Sequence, residues 1–127
     1  MNMILSIAAG GAIGAVLRYL IYASEAVAKN DLFPWGTLVV NILGSFFMGV
    51  LVILFAQTWN ASEEMKAFLT IGFLGAFTTF SAFSFDVVTL WERQAYWQVI
   101  GYGSASVIFS IMGLVAGMIV TRHLVGS

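Results

Sequence analysis

Three groups of side chains carry polar chemistry in an otherwise apolar sequence. Thr37, Asn41 and Ser45 recur at a spacing of four, and so do Tyr102, Ser106 and Ser110. On a helix, residues four apart lie on one face, so each set forms a polar stripe. The third group is the run from Gly72 to Asp86, GFLGAFTTFSAFSFD, which mixes glycines, hydroxyls and phenylalanines. Amides and hydroxyls in series can replace the water around a small ion without holding it too firmly to leave, which a conduction path requires. Each stripe has a plainer alternative. A buried amide can bond to a neighbouring helix, and a serine can bond back to its own.

Phe73, Phe77, Phe80 and Phe83 follow helical spacing within the third group. Such a stripe ordinarily packs or meets lipid. A phenyl ring also has a positive edge, so edges beside hydroxyl and amide donors suit a small anion without any fixed positive charge. Asp86 is the one acid well inside an apolar stretch. An ionisable group there is a functional suspect, although a carboxylate near the end of its segment can also reach the interface.

Catalysis is excluded by inventory. Cysteine is absent, the single histidine, His123, sits at the C-terminal end, and no Ser–His pair falls within the apolar stretches. A nucleophile, base and orienting group cannot be assembled from this set. No Cys/His metal cluster and no basic patch for nucleic acid is present.

The elements that position these residues follow from composition. Of 127 residues, 61% are hydrophobic and 9% charged, against about 45–50% and about 25% in an average globular protein. Such a chain needs lipid as its solvent, and the fold class is all-α integral membrane. A span takes about 20 apolar residues, and four stretches have that length: 3–22, 35–55, 67–90 and 98–120. They form a single domain over 1–127. Polar connections run from Ser24 to Asp31, Gln57 to Lys66 and Trp91 to Trp97. Trp35, Trp59, Trp91, Tyr96 and Trp97 mark span ends, where amphipathic rings favour the headgroups. The first span lacks a basic leader and reads as retained. Pro34 suits the first turn of the second span. Gly10 with Gly14, Ser45 with Gly49, and Gly113 with Gly117 are small pairs that let helices approach closely. The glycines and hydroxyls of the third span predict a break, whose freed carbonyls would suit a small cation; such backbone survives in a membrane only when buried or lining a cavity.

Orientation is set by a Lys/Arg excess on the cytoplasmic side. Lys66 and Arg122 fall on one side, Lys29 and Arg93 on the other, and Arg18 would snorkel to the second. The near balance predicts insertion both ways and an antiparallel homodimer. The alternative is that Arg18 selects one topology.

With these residues in view, the sequence resembles the CrcB/Fluc family of small fluoride channels over its whole length. The resemblance is carried by GAVLRY at 14–19, GTLVVN at 36–41, Gly44 and GFLGAFTTFSAF at 72–83. Where the family pattern ends Thr-Phe-Ser-Thr-Phe, this chain has Ala82 in place of the second threonine. The resemblance implies an antiparallel, dual-topology homodimer in the inner (plasma) membrane, with two fluoride pores and a third helix broken mid-membrane. It implies Asn41 as the pore amide, Phe80 and Phe83 as the rings facing the anion, and Tyr102, Ser106 and Ser110 as the polar track. Thr37 and Ser81 are carried over as further pore residues. Gly75 and Thr78 match the backbone carbonyls that hold a structural sodium ion between subunits. Arg18 and Asp86 remain unassigned. The implied role is passive fluoride export that relieves toxicity. A small proton-coupled multidrug exporter is the competing function, but it needs an acid in the first span, where none occurs. A non-transporting assembly subunit would explain the glycine pairs and leave the polar stripes without a reason.

Overall fold

The computed structural model describes residues 2–28 and 33–126; Lys29 and Asp31, assigned above to the first connection, lie outside the described residues. The described chain is helical, without strands. Helix α1 (Asn2–Ala23) leads to the short α2 (Glu25–Ala28), then α3 (Trp35–Gln57). The third run is composite: α4 (Glu63–Ala67), a π-helical segment (Phe68–Leu74), α5 (Gly75–Phe77) and α6 (Phe80–Glu92). Helix α7 (Tyr96–Leu124) closes the fold. Four runs are long and apolar enough to cross a membrane: Asn2–Ala23, Trp35–Gln57, Glu63–Glu92 and Tyr96–Leu124.

The outside of the bundle is apolar. Ile4, Val16, Ile111 and Val115 are among many large hydrophobic side chains left exposed, while Leu38, Leu90 and Tyr102 form a small core cluster. That inversion fits a protein whose solvent is hydrocarbon.

Packing within the bundle relies on missing side chains. Helix α3 packs chiefly on α7, and α1 on the π-helical segment. A Cβ added to Gly49 would overlap the Leu114 carbonyl, and one on Gly117 the Phe46 carbonyl. Gly10 and Gly14 stand in the same relation to the carbonyls of Phe68 and Phe73. Without a hydrophobic force between helices in lipid, this close backbone approach holds them together.

Local chemistry sets the ends of the third run. The Ser62 hydroxyl accepts from the Met65 N–H at 3.1 Å and caps α4, whose first turn carries Glu63 and Glu64, acids favoured at a helix N-terminus. Thr78 (φ −93°, ψ 164°) and Thr79 (φ −157°, ψ 124°) are extended, so regular helical bonding stops between α5 and α6. Gln94, with φ 60°, turns the chain from α6 into α7.

The glycine contacts can be tested by overpacking. Gly117→Val should destabilise the protein by about 1–3 kcal/mol, read as a lower unfolding midpoint in detergent. Gly101→Ala, on the same helix with nothing within 4 Å of the new atom, should leave the midpoint unchanged. Equal midpoints for the two would refute the α3–α7 contact.

Candidate functional site

Asn41 faces the interruption in the third run. Its Oδ1 accepts from the Thr79 N–H at 2.8 Å, and its Nδ2 donates to the Thr79 carbonyl at 3.1 Å. One amide hydrogen of Asn41 is left over, since a primary amide has two. Gly44, one turn further along α3, makes the approach possible: a Cβ there would overlap the Thr78 methyl. The Thr79 hydroxyl in turn accepts from the Ala82 N–H at 3.1 Å and caps α6.

These bonds redirect two backbone donors. In a continuous α-helix the Thr79 N–H would bond the Gly75 carbonyl, and the Ala82 N–H the Thr78 carbonyl. Here side chains take both donors, so the carbonyls of Gly75 and Thr78 lose their helical partners.

A cleft of about 400 Å³ opens beside the interruption. Asn41, Ser45, Phe80, Phe83, Ser106 and Ser110 line it together with Thr78 and Thr79. The fold therefore gathers five of the residues singled out as pore candidates: Asn41, Phe80, Phe83, Ser106 and Ser110. The Ser106 Oγ is buried with no hydrogen-bond partner. An unpaired hydroxyl of this kind calls for an explanation such as water or a ligand. The Phe80 and Phe83 rings lie 5.5 Å apart at 44°, and Phe80 is 78% exposed.

The remaining pore candidates lie elsewhere. Ser81 is exposed, its hydroxyl 3.4 Å from that of Thr79, and it does not line the cleft. Tyr102 is fully buried and its hydroxyl donates to Asp86 Oδ2 at 2.9 Å. The Thr37 hydroxyl pairs with that of Tyr22 at 2.7 Å. Tyr22, Thr37 and Asp86 line a second cleft of about 260 Å³, near the start of α3. The two stripes are thus divided: Thr37 and Tyr102 belong to a hydroxyl–carboxylate cluster, and the later members of each stripe to the first cleft. A third cleft, of about 180 Å³, adjoins the first through Ser45 and Thr78 and also includes Gly75.

Among the described residues, no three His, Cys, Asp or Glu side chains gather as a metal site. Sequence reasoning missed two participants, Thr79 and Tyr22. Thr79 was hidden as one of a pair of threonines, although a threonine three residues before the capped N–H is an N-cap signal. Ser45, read both as a member of the α3 polar stripe and as a packing partner of Gly49, lines the first cleft. Tyr22 gave no signal, because its partner lies on another helix. Arg18 lines none of the three clefts.

Residues 5–118 match the family described as CrcB-like protein, Camphor Resistance (CrcB). The chain is 48% identical over 122 residues to the fluoride-specific ion channel FluC of Rhodospirillum centenum, covering 96% of this chain and 97% of that one. It is 50% identical over 118 residues to FluC of Agrobacterium fabrum, covering 93% and 94%. Against FluC of Rhizobium meliloti the identity is 44% over 125 residues, covering 98% and 100%.

The Asn41 clamp has its own test. Asn41→Leu strips partners from the Thr79 N–H and carbonyl, at about 1–3 kcal/mol for each buried group left unpaired. A clearly lower unfolding midpoint in detergent is expected. A midpoint equal to that of the unaltered protein would show that the clamp carries no stability.

Proposed function

The chain belongs to the CrcB-like family, and on that premise we propose that it is a fluoride-selective ion channel whose conducting groups line the Asn41 cleft. It is a multi-pass membrane protein and a channel, not an enzyme. The carrying observation is the convergence of Asn41, Phe80, Phe83, Ser106 and Ser110 on one cleft. Fluoride holds water strongly, so the path must offer substitutes for hydration. The second Asn41 amide hydrogen, the Ser106 and Ser110 hydroxyls and the ring edges of Phe80 and Phe83 are such substitutes. None carries a full charge that would trap the ion. Tyr102 and Thr37 act one step back, through the cluster with Asp86.

The working unit is an antiparallel, dual-topology homodimer in the inner membrane, each chain contributing one four-span domain. Balanced flanking charge supports this, and so does the open side of the cleft. Phe80 is exposed there, and a second copy would cover it. The extended residues Thr78 and Thr79 are the mid-membrane break of the third span. Gly75 and Thr78 fit a sodium ion, since their carbonyls have lost their helical donors and oxygen ligands suit a hard cation. Bound between copies, sodium would supply fixed positive charge that ties the two interruptions together.

Export needs no energy source. Weak acid HF crosses the membrane and dissociates in a more alkaline cytoplasm. A negative-inside potential then drives the anion out with about 2.3 kcal/mol per 100 mV. The proton-coupled exporter is not favoured, since α1 contains no acid.

Purified protein in liposomes, followed with a fluoride electrode under a potassium gradient with valinomycin, should show rapid electrogenic fluoride efflux and no chloride efflux. Folded dimers without fluoride flux would sink the channel reading. Phe80→Ile and Phe83→Ile should each cut flux strongly with the dimer intact, and wild-type rates in both would reject the ring assignment. Asn41→Asp should abolish flux, because it loses the spare donor and sets a second acceptor against the Thr79 carbonyl.

A further inference from the structure

Two adjoining clefts differ in hydrogen-bonding character. The first offers donors, the spare Asn41 amide hydrogen and the unpaired Ser106 hydroxyl. The third, of about 180 Å³, is lined by Ser45, Thr70, Gly75 and Thr78 among apolar side chains. Here the threonine protons are spent. The Thr70 hydroxyl donates to the Lys66 carbonyl at 2.7 Å, and the Thr78 hydroxyl to the Leu74 carbonyl at 2.9 Å. The Gly75 N–H is taken by the Gly72 and Thr70 carbonyls, and the Thr78 N–H by the Leu74 carbonyl at 3.0 Å.

A hydroxyl whose proton is committed can only accept. Thr70 and Thr78 therefore present oxygen lone pairs to a visitor, and the Gly75 carbonyl, without its helical donor, adds another. Such a wall disfavours an anion and suits a hard cation, which takes oxygen ligands. Ser45 and Thr78 line both clefts and mark the border between the two characters.

The third cleft also has a direction. Thr70 lies about two turns into a run that starts at Glu63, roughly 10 Å along the axis, whereas Thr78 stands at the interruption. One turn outward from Thr70, Lys66 pairs with Glu63 at 3.5 Å, and Glu64 leaves the α4 segment with net negative charge. Charge of one sign raises the local concentration of its counter-ion. The volume has room for a small cation that keeps several waters, at roughly 30 Å³ for each.

We infer that the third cleft is the passage by which a small monovalent cation reaches the Gly75 and Thr78 carbonyls, with the Thr70 hydroxyl oxygen replacing part of its water on the way. The inference rests on the cation reading of those carbonyls. A passage changes how fast the ion arrives and leaves without changing how tightly it is held.

The test follows radioactive sodium on purified dimers in detergent: loading, amount bound at saturation, and release into unlabelled sodium. Thr70→Val keeps the shape of the side chain and removes its oxygen. It should slow loading and release alike by about two- to tenfold, the range of one polar contact, with saturation unchanged. Thr70→Ser retains the oxygen and should restore the rates of the unaltered protein. Should Thr70→Val not assemble, Met48→Phe narrows the same cleft from α3 and should slow exchange in the same way. Release as fast as in the unaltered protein would overturn the inference. So would slowing that Thr70→Ser fails to restore, or less bound sodium with release no slower, because either marks damage to the fold or the site. The unaltered protein separates the two failures. If it binds no sodium, the cation reading falls and takes the inference with it; if it binds sodium and the variants release it equally fast, only the inference falls.

Discussion

Backbone groups that leave a helix inside a membrane find no water to replace their lost partners, and each one unpaired costs several kcal/mol. The extended pair Thr78–Thr79 creates such groups in the middle of the third run, so the structure depends on how they are paired. Asn41 takes both the N–H and the carbonyl of Thr79, and the Thr79 hydroxyl takes the Ala82 N–H in the first turn of α6. One side chain and one cap thus stabilise a conformation that the segment could not hold alone. The absence of a side chain at Gly44 matters as much, because it lets Thr78 lie against α3.

That pairing is unequal, and the inequality is informative. The Thr79 and Ala82 N–H groups are matched by side-chain oxygen, whereas the Gly75 and Thr78 carbonyls lose the N–H groups they would have had. Negative partial charge therefore gathers on the α5 side, the proposed cation site. On the other side, Asn41 holds one unused donor and Ser106 one unused hydroxyl, both lining the cleft. A single rearrangement of helix bonding separates acceptors from donors over a few residues. Under the proposed function it would serve a cation and an anion without any charged side chain in the cleft.

Much of the fold was legible because lipid imposes a simple code. Length and hydropathy placed four runs, and the glycine pairs marked close approach between them. The composite third run was foreshadowed by its glycines and threonines, but the π-helical turn from Phe68 to Leu74 was not, since nothing local in FLTIGFL distinguishes it from α-helix. Convergence was harder to read. Helical spacing places residues on one face without saying which depth along that face meets which neighbour. Thr37 and Tyr102 therefore read as continuous with Asn41 and Ser106, when their hydroxyls are committed to a cluster with Tyr22 and Asp86. Asp86 remained unassigned for the same reason: its partner lies sixteen residues away on α7.

The exposed edge of the cleft carries the argument to a second chain. Phe80 stands open at 78% exposure beside a cleft whose walls mix the Asn41 amide and several hydroxyls with Phe83, Val107 and Ile111. An exposed phenylalanine is at ease in lipid, but polar groups next to it are not, because hydrocarbon offers them nothing to bond. A lone copy would therefore leave the Asn41 amide and the hydroxyls of the cleft facing the medium least able to solvate them. A partner inverted about an axis in the membrane plane would bring its own interrupted third run to the same depth. It would cover the cleft with matching aromatic edges and shut lipid out of the path. The cleft's polar groups thus support the proposed dimer, and the near-balanced flanking charges support the proposed insertion in both orientations.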